Sequence, residues 1–379
     1  MMFKKILLVF LNLSLILSLC GCWNYQGLDE LNIVVGIAVD FDNNGNCFDV
    51  SYESADLATA DKKSVITGKI THSKGKNLFD AARNAKRREE DRLFFGGSQI
   101  LIINETLAAD EGILTIIEWF LRDVECRETI SVAISQEDTA ASILEVKGEP
   151  KGIVSITLHD IIKKDRDVSG TSMDKPMFQI YNDLHSLRKS TVMPALHKVK
   201  NGEGEVIEIN GLAVIKEDRL EGYLSPEQSR YVLMIEDKLG GGIFTLSTQG
   251  ISSHDISLEI FESDTKKSFS YESGRLTVEI NTKTKVYIAE NRGYLDIMDK
   301  EVVSQIETLA SEMIKDNIEN LVALTQQQYK TDLFGFGEMI HKRDLKLWNE
   351  LSPMWDKLYP DLEIKVSAEV NAVNSASTR

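Results

Sequence analysis

Apolar and polar positions change period several times along the chain, and each change predicts an element. Residues 6–19 are an apolar run broken only by Asn12, Ser14 and Ser18. As a helix this run rises about 21 Å, short of the ~30 Å hydrocarbon core of a bilayer. With Lys4 and Lys5 before it, the run has the layout of a secretory signal peptide. From Leu31 the chain reads LNIVVGIAVDFDNNGNCFDVSYESADL: an apolar run, a turn cluster over 42–46 and an alternating run over 48–54, which predicts a β-hairpin. A polar stretch follows over 60–74. NLFDAARNAKRREED then predicts a helix with Leu78, Phe79, Ala82 and Ala85 on one side. SQILIIN and TISVAIS read as short buried strands. Between them TLAADEGILTIIEWFLRD is helical, with Leu107, Ile113, Ile116, Ile117 and Phe120 inward, and DTAASILEV gives another short helix. Strands alternating with helices over Leu93 to Val146 predict a compact α/β unit.

A less regular stretch, 148–200, reads as a connector or small middle domain, and Asn201 to Glu205 (NGEGE) as a second boundary. Beyond it INGLAVIKEDRLEGYL predicts two short strands across a Lys216-Glu217-Asp218 turn. Ser225-Pro226-Glu227-Gln228 carries a serine cap, a proline in the first turn and a box-like glutamine, so a helix starts there. It stops at Gly240–Gly242. Alternating strands follow, then a long amphipathic helix over Glu301–Tyr329 with Val303, Ile306, Ala310, Met313, Leu321 and Leu324 recurring at three- and four-residue steps. A glycine turn, a helix, a proline break and a last strand complete the pattern. The expected organisation is α+β, with about three mixed α/β domains: a signal segment 1–21, an N-terminal α/β domain 22–147, the connector 148–200, a C-terminal α+β domain 201–371, and a frayed tail 372–379.

The signal run ends Leu19-Cys20-Gly21-Cys22, which resembles a bacterial lipobox. A small residue must precede the modified cysteine; Gly21 before Cys22 satisfies this and Leu19 before Cys20 does not. The expected cut lies between Gly21 and Cys22. Cys22 would then carry a diacylglycerol thioether and an N-acyl group, and several acyl chains anchor stably where one binds only marginally. A net charge of −16 argues against nucleic acid and against basic adhesion to anionic lipid, so attachment falls to the lipid. Cys47 and Cys126 either form one disulfide or stay as two thiols; their spacing does not decide.

Catalytic and metal-binding patterns are not evident, nor is a cofactor motif. The six histidines, His72, His159, His185, His197, His254 and His341, include no pair at i, i+4. GKITHSKGKN fails as a phosphate loop, because Gly68 and Gly75 are too far apart and Asn77 stands where Ser or Thr binds magnesium. FGGSQ lacks the nucleophile-elbow spacing. Phe334, Phe336, Trp348 and Trp355 read as a core closure before a stacking surface.

Several ordered stretches together resemble the Ger(x)C spore germination lipoproteins, the C subunits of nutrient germinant receptors. They are GCWNYQGLDELNIVVGIAVDFDNNG, FFGGSQILIINETLA, EWFLRDVECRETISVAIS, the segment from INGLAVIKEDRLEGYL to GGGIFTL, and YKTDLFGFGEMIHKRDLKLWNEL. Arg122, Asp123, Glu125 and Arg127 match the family's Arg-Asp-x-Glu-x-Arg turn, which reads either as a partner-contact surface or as a local salt-bridged corner. After IKVSAEV the family usually continues with a strand and a glycine-containing close. Here NAVNSASTR is polar, which leaves the edge of the last strand open. The resemblance implies a non-enzymatic protein anchored on the outer face of the spore inner membrane, acting with polytopic A and B subunits in nutrient sensing. The alternative reading, a solute-binding lipoprotein feeding a membrane transporter, shares the lipobox but would show two similar α/β lobes.

Overall fold

The computed structural model describes residues 31–56, 66–89, 91–146, 152–202, 204–247, 255–292 and 295–373, with 2–6, 8 and 27 near the start. Most of the apolar run 6–19, the Gly21–Cys22 pair and residues 374–379 lie outside the described residues. Two sheets organise the chain. The larger contains β1 (Leu31–Asp42), β2 (Cys47–Asp56), β3 (Thr67–Gly75), β4 (Arg92–Phe94), β5 (Ile100–Asn104), β6 (Ser131–Ser135), β7 (Ser190–Asn201), β8 (Gly204–Lys216) and β9 (Arg219–Leu224). Their order is β3-β2-β1-β5-β6-β7-β8-β9, with β4 pairing on β1. The middle strands β1, β5, β6 and β7 are parallel, and an antiparallel pair flanks them on each side.

The residues account for this arrangement. Parallel strands are covered on both faces and so are apolar throughout. Ile37, Val39, Leu101, Ile103, Val132 and Ile134 face one helical layer; Ala38, Ile100, Ile102 and Ala133 face the other. The first layer comprises α1 (Leu78–Ala85), α2 (Glu105–Asp110) and α3 (Leu114–Arg122). The second comprises α4 (Ala141–Leu144) and α5 (Val154–Val168), and α6 (Met177–His185) returns the chain to the first.

After β9 the chain enters α7 (Pro226–Ile235). Its predicted capping box is present: Gln228 N–H donates to the Ser225 hydroxyl at 3.2 Å and Ser225 N–H to Gln228 Oε1 at 2.9 Å, a cap of about 1 kcal/mol. The smaller sheet runs β10 (Ile243–Leu246), β11 (Ile256–Glu272), β12 (Arg275–Asn291) and β13 (Glu363–Ala372) in chain order. β13 lies parallel to β12 after a crossover through α8 (Lys300–Leu324), a π turn over Thr325–Tyr329, α9 (Phe336–Arg343), α10 (Leu345–Leu351) and α11 (Trp355–Leu358). Ile306, Ala310, Ile314, Ile318, Leu321 and Val322 form the buried stripe of α8. This core is continuous with Val192, Leu212, Val214 and Leu224 of the larger sheet, so the two sheets share one apolar interior with α7 between them. Phe334, Phe336, Trp348 and Trp355 are buried in it, with the two indoles edge to face at 5.3 Å.

Some segments differ from the sequence expectation. The polar stretch before Leu78 contains β3, paired along its length with β2. Phe79 points outward under the Arg83 guanidinium, and Ala81 takes its place in the core. Residues 148–200, read as irregular, supply α5, α6 and most of β7. The 201–205 boundary falls between β7 and β8, which pair antiparallel from Asn201↔Gly204 to Ser190↔Lys216, so the larger sheet continues across it. The strand also extends through Ala372, into the segment expected to fray.

The outer edge of β13 is occupied. Val370 N–H donates to Ser311 Oγ at 3.0 Å and Ala372 N–H to Glu307 Oε1 at 2.8 Å, both from α8. Side chains of the crossover helix therefore take the hydrogen bonds that another strand would otherwise claim.

Candidate functional site

The Arg122–Arg127 turn forms a projecting corner where α3 ends. Asp123 Oδ1 accepts from Glu125 N–H at 2.9 Å, and Asp123 O accepts from Cys126 N–H at 3.2 Å. Arg122 pairs with Glu118 one helical turn back at 2.7 Å, and Glu125 pairs with Arg92 on β4. Exposed pairs of this kind contribute about 0–1 kcal/mol each, so they orient the corner more than they stabilise it. Asp123 and Glu125 are thus used internally. Val124, fully exposed, and Arg127 face outward over a shallow depression of about 500 Å3. Arg92 is also opposite Leu31, the first residue of β1. The corner therefore sits at the end of the sheet where the chain enters from Cys22.

Cys126, in the same corner, is half-buried; burial, with Asp123 and Glu125 nearby, pushes its thiol pKa up to about 12. A thiol held so high is a poor nucleophile at neutral pH. Cys47 and Cys126 are both free.

The histidines are dispersed. His72 bonds Ser51 at 2.8 Å and faces Glu145 at 3.1 Å, while His185 stacks on Tyr181. His254 lies outside the described residues. Among the described residues, no group of three or more His, Cys, Asp or Glu is placed to hold a metal ion. Ser131, His159 and Asp174 do meet: Ser131 Oγ is 2.9 Å from His159 Nδ1 and donates to Asp174 Oδ1 at 2.6 Å. In a nucleophilic triad the imidazole stands between hydroxyl and carboxylate. Here the serine stands between them, fully buried, with its proton committed to Asp174.

Pattern reading missed the buried charges. Glu53, on β2, accepts Val154 N–H at 2.9 Å, Ser155 N–H at 2.8 Å and the Ser155 hydroxyl, and so caps α5 from across the sheet. Asp40 accepts the Ala140 and Ala141 N–H groups at the start of α4, and Asp332 those of Phe336 and Gly337 at the start of α9. Burial raises all three carboxyl pKa values against the lowering effect of these hydrogen bonds. Arg188, on the α6–β7 loop, lies 3.7 Å from Glu236 and 3.9 Å from Glu338, and Lys267 reaches Glu236 at 3.2 Å. These ionic contacts tie the larger sheet's loop to α7, β11 and α9. A lone glutamate in a strand, or an arginine in a loop, gives no sequence signal of partners distant along the chain.

Comparison with known proteins divides the chain between β7 and β8, inside the larger sheet. Residues 24–198 match the spore germination protein N-terminal domain, and residues 210–376 match the spore germination B3/GerAC-like C-terminal domain. Spore germination protein KC of Bacillus subtilis (strain 168) is 24% identical, covering 97% of this chain and 95% of that protein. Spore germination protein B3 of the same organism is 22% identical, covering 95% of each. The crystal structure of the GerBC protein shares the fold, with a TM-score of 0.57 at 19% identity over 89% of this chain and 97% of that one. With both domain models matched in order and full-length similarity to spore germination proteins, the chain belongs to the Ger(x)C family.

Proposed function

We propose that the chain is a lipid-anchored, non-enzymatic subunit of a spore nutrient germinant receptor. Cys22 holds it on the outer face of the spore inner membrane, where it acts with polytopic A and B subunits. The observation that carries this reading is the match of both halves to spore germination domains in a chain that opens with a lipobox. No helix among the described residues is long and apolar enough to cross a membrane. A solute binder feeding a transporter fits less well, because the two sheets differ in strand number and topology and are not two similar lobes.

Tether length orients the molecule in this reading. Cys22 lies nine positions before Leu31, and an extended chain of that length spans about 30 Å. In this reading the Arg122–Arg127 corner, beside the start of β1, is within reach of the membrane and the polytopic subunits. Arg127→Glu is expected to slow nutrient-triggered germination several-fold and leave the unfolding midpoint unchanged. A normal germination rate in that variant would remove the corner from the interface.

The reading as a whole is tested by dipicolinate release across a panel of amino acids and sugars. Spores lacking the chain should lose the response to particular nutrients. Complementation with Cys22→Ser should fail, with the protein recovered away from the membrane. An unchanged response to every nutrient, in a strain also stripped of sister receptors, would overturn it.

A further inference from the structure

The Gly240–Gly242 run does more than stop α7. Asp237 adopts a left-handed conformation, and Lys238 N–H returns to Leu233 O at 2.8 Å, so the chain reverses sharply after the helix. Gly240 N–H then donates to Arg166 O at 3.2 Å, and a Cβ on Gly241 would collide with the backbone oxygen of Asp167. The absence of side chains lets this loop lie directly against the end of α5. The loop and the end of α5 form two walls of a cleft, and the segment leading into α6 forms the third.

That cleft, of about 360 Å3, is lined by Lys163 and Arg166 from α5, Lys238 from the glycine loop, Asp174, and Gln179 from α6. Three cations around one small cleft stand out in a chain of net charge −16. The single carboxylate among them, Asp174, accepts a hydrogen bond from the Ser131 hydroxyl at Oδ1 and keeps its negative charge, so the lining carries three cations against one anion. Arg166 is drawn 3.2 Å from Asp167, outside the lining. Lys238 is half-buried, and no carboxylate among the described residues lies within ion-pair distance of it. Burial, and next Lys175 nearby, lower its pKa, and the more distant Glu236 and Asp183 offset this only in part. A cation desolvated in this way gains from an arriving anion.

We propose that this cleft is a binding site for a small oxyanion, carboxylate or phosphate in kind. Lys238 makes the principal ion pair, Lys163 and Arg166 supply the surrounding positive field, and Gln179 adds a neutral amide donor. The volume suits a ligand of a few to about ten heavy atoms. The site stands between the larger sheet's helical layer and the loop after α7, so its occupancy bears on how those elements pack. The proposal is independent of the receptor reading: the chain alone binds or does not, whatever its partners.

The test uses the full chain in neutral detergent, titrated calorimetrically with inorganic phosphate and, separately, with succinate. Saturable one-site binding is expected for at least one of them. Lys238→Gln should weaken it about tenfold or more, the scale of one charge-assisted hydrogen bond. Lys163→Gln should weaken it less, and Lys365→Gln on exposed β13 should leave it unchanged. Matching thermal unfolding midpoints verify that the variants are folded. No saturable binding of either anion, or undiminished affinity in Lys238→Gln, overturns the site. Binding confined to phosphatidylglycerol vesicles, with no response to the free anions, assigns the charge to a lipid surface and also overturns it.

Discussion

Arg188→Met is expected to destabilise the protein by about 3–5 kcal/mol, the usual cost of removing one member of a buried ionic cluster. Arg188 is 14% exposed in its side chain, and Glu236 opposite it 12%. Burial alone would push the arginine pKa down. Glu236, Asp183, Asp332 and Glu338 more than offset this and hold it above its ordinary value. Glu236 in turn is disfavoured as an anion by burial and kept ionised by Arg188, Lys267 and Lys238. Methionine preserves much of the volume and removes only the charge, so the loss reads out as stranded carboxylates. The shift is measured as the urea midpoint followed by tryptophan fluorescence. Trp348 and Trp355 report on the C-terminal core and Trp119 on the α3 layer. A double-mutant cycle with Glu236→Gln should return a coupling above about 1 kcal/mol. A loss below about 1 kcal/mol for Arg188→Met would show that the two halves are held by apolar contact alone.

Glu53→Ala is expected to cost about 3 kcal/mol, because two backbone N–H groups and a hydroxyl at the buried start of α5 lose their acceptor at once. The same carboxyl predicts a pH effect. Its folded-state pKa is raised above the ordinary 4.5, chiefly by burial. Between 4.5 and the raised value the folded chain holds a proton that the unfolded chain has released, so stability falls as pH rises through that window. Asp40 and Asp332 act with the same sign. Urea midpoints at pH 5 and pH 7 should therefore favour pH 5 in the parent protein, and the gap should narrow in Glu53→Gln. Glu236 and Glu89, whose pKa values are lowered, oppose this only as pH falls below the ordinary glutamate range, whereas His159, lowered chiefly by burial, opposes it as pH rises toward 6.5. A gap between the two pH values that is the same in Glu53→Gln as in the parent would show that the Glu53 carboxyl is ionised throughout.

Elements with strong periodicity or explicit chemistry were legible in the sequence. The β1–β2 hairpin, the capping box at Ser225 and the inward faces of α2 and α3 all follow from residue order. β3 was not legible: it is an edge strand whose Lys69 and Lys74 lie on exposed positions, so its buried partners at Thr71 and Ser73 are small and polar. Phe79 misled because a helix face is set by what covers it, and Arg83 covers this ring at the surface. The Arg122–Arg127 turn could be seen as a turn, but Glu125's link to Arg92 could not. Glu53 and Ser155 are 102 positions apart, and no local pattern encodes a contact at that range. Cys22 lies outside the described residues, and its reading rests on the lipobox resemblance.

The closure of β13 on β12 has a consequence for how the protein is made. Val366 and Val370 of β13 belong to the core that α8 covers. Their strand pairs parallel with residues 277–286, synthesised 86 positions earlier. Until residues 363–372 are available, β12 has an open edge and the underside of α8 lacks part of its cover. The smaller sheet is thus incomplete while α8 to α11 are being made, and a nonsense codon just before Glu363 would leave that core open.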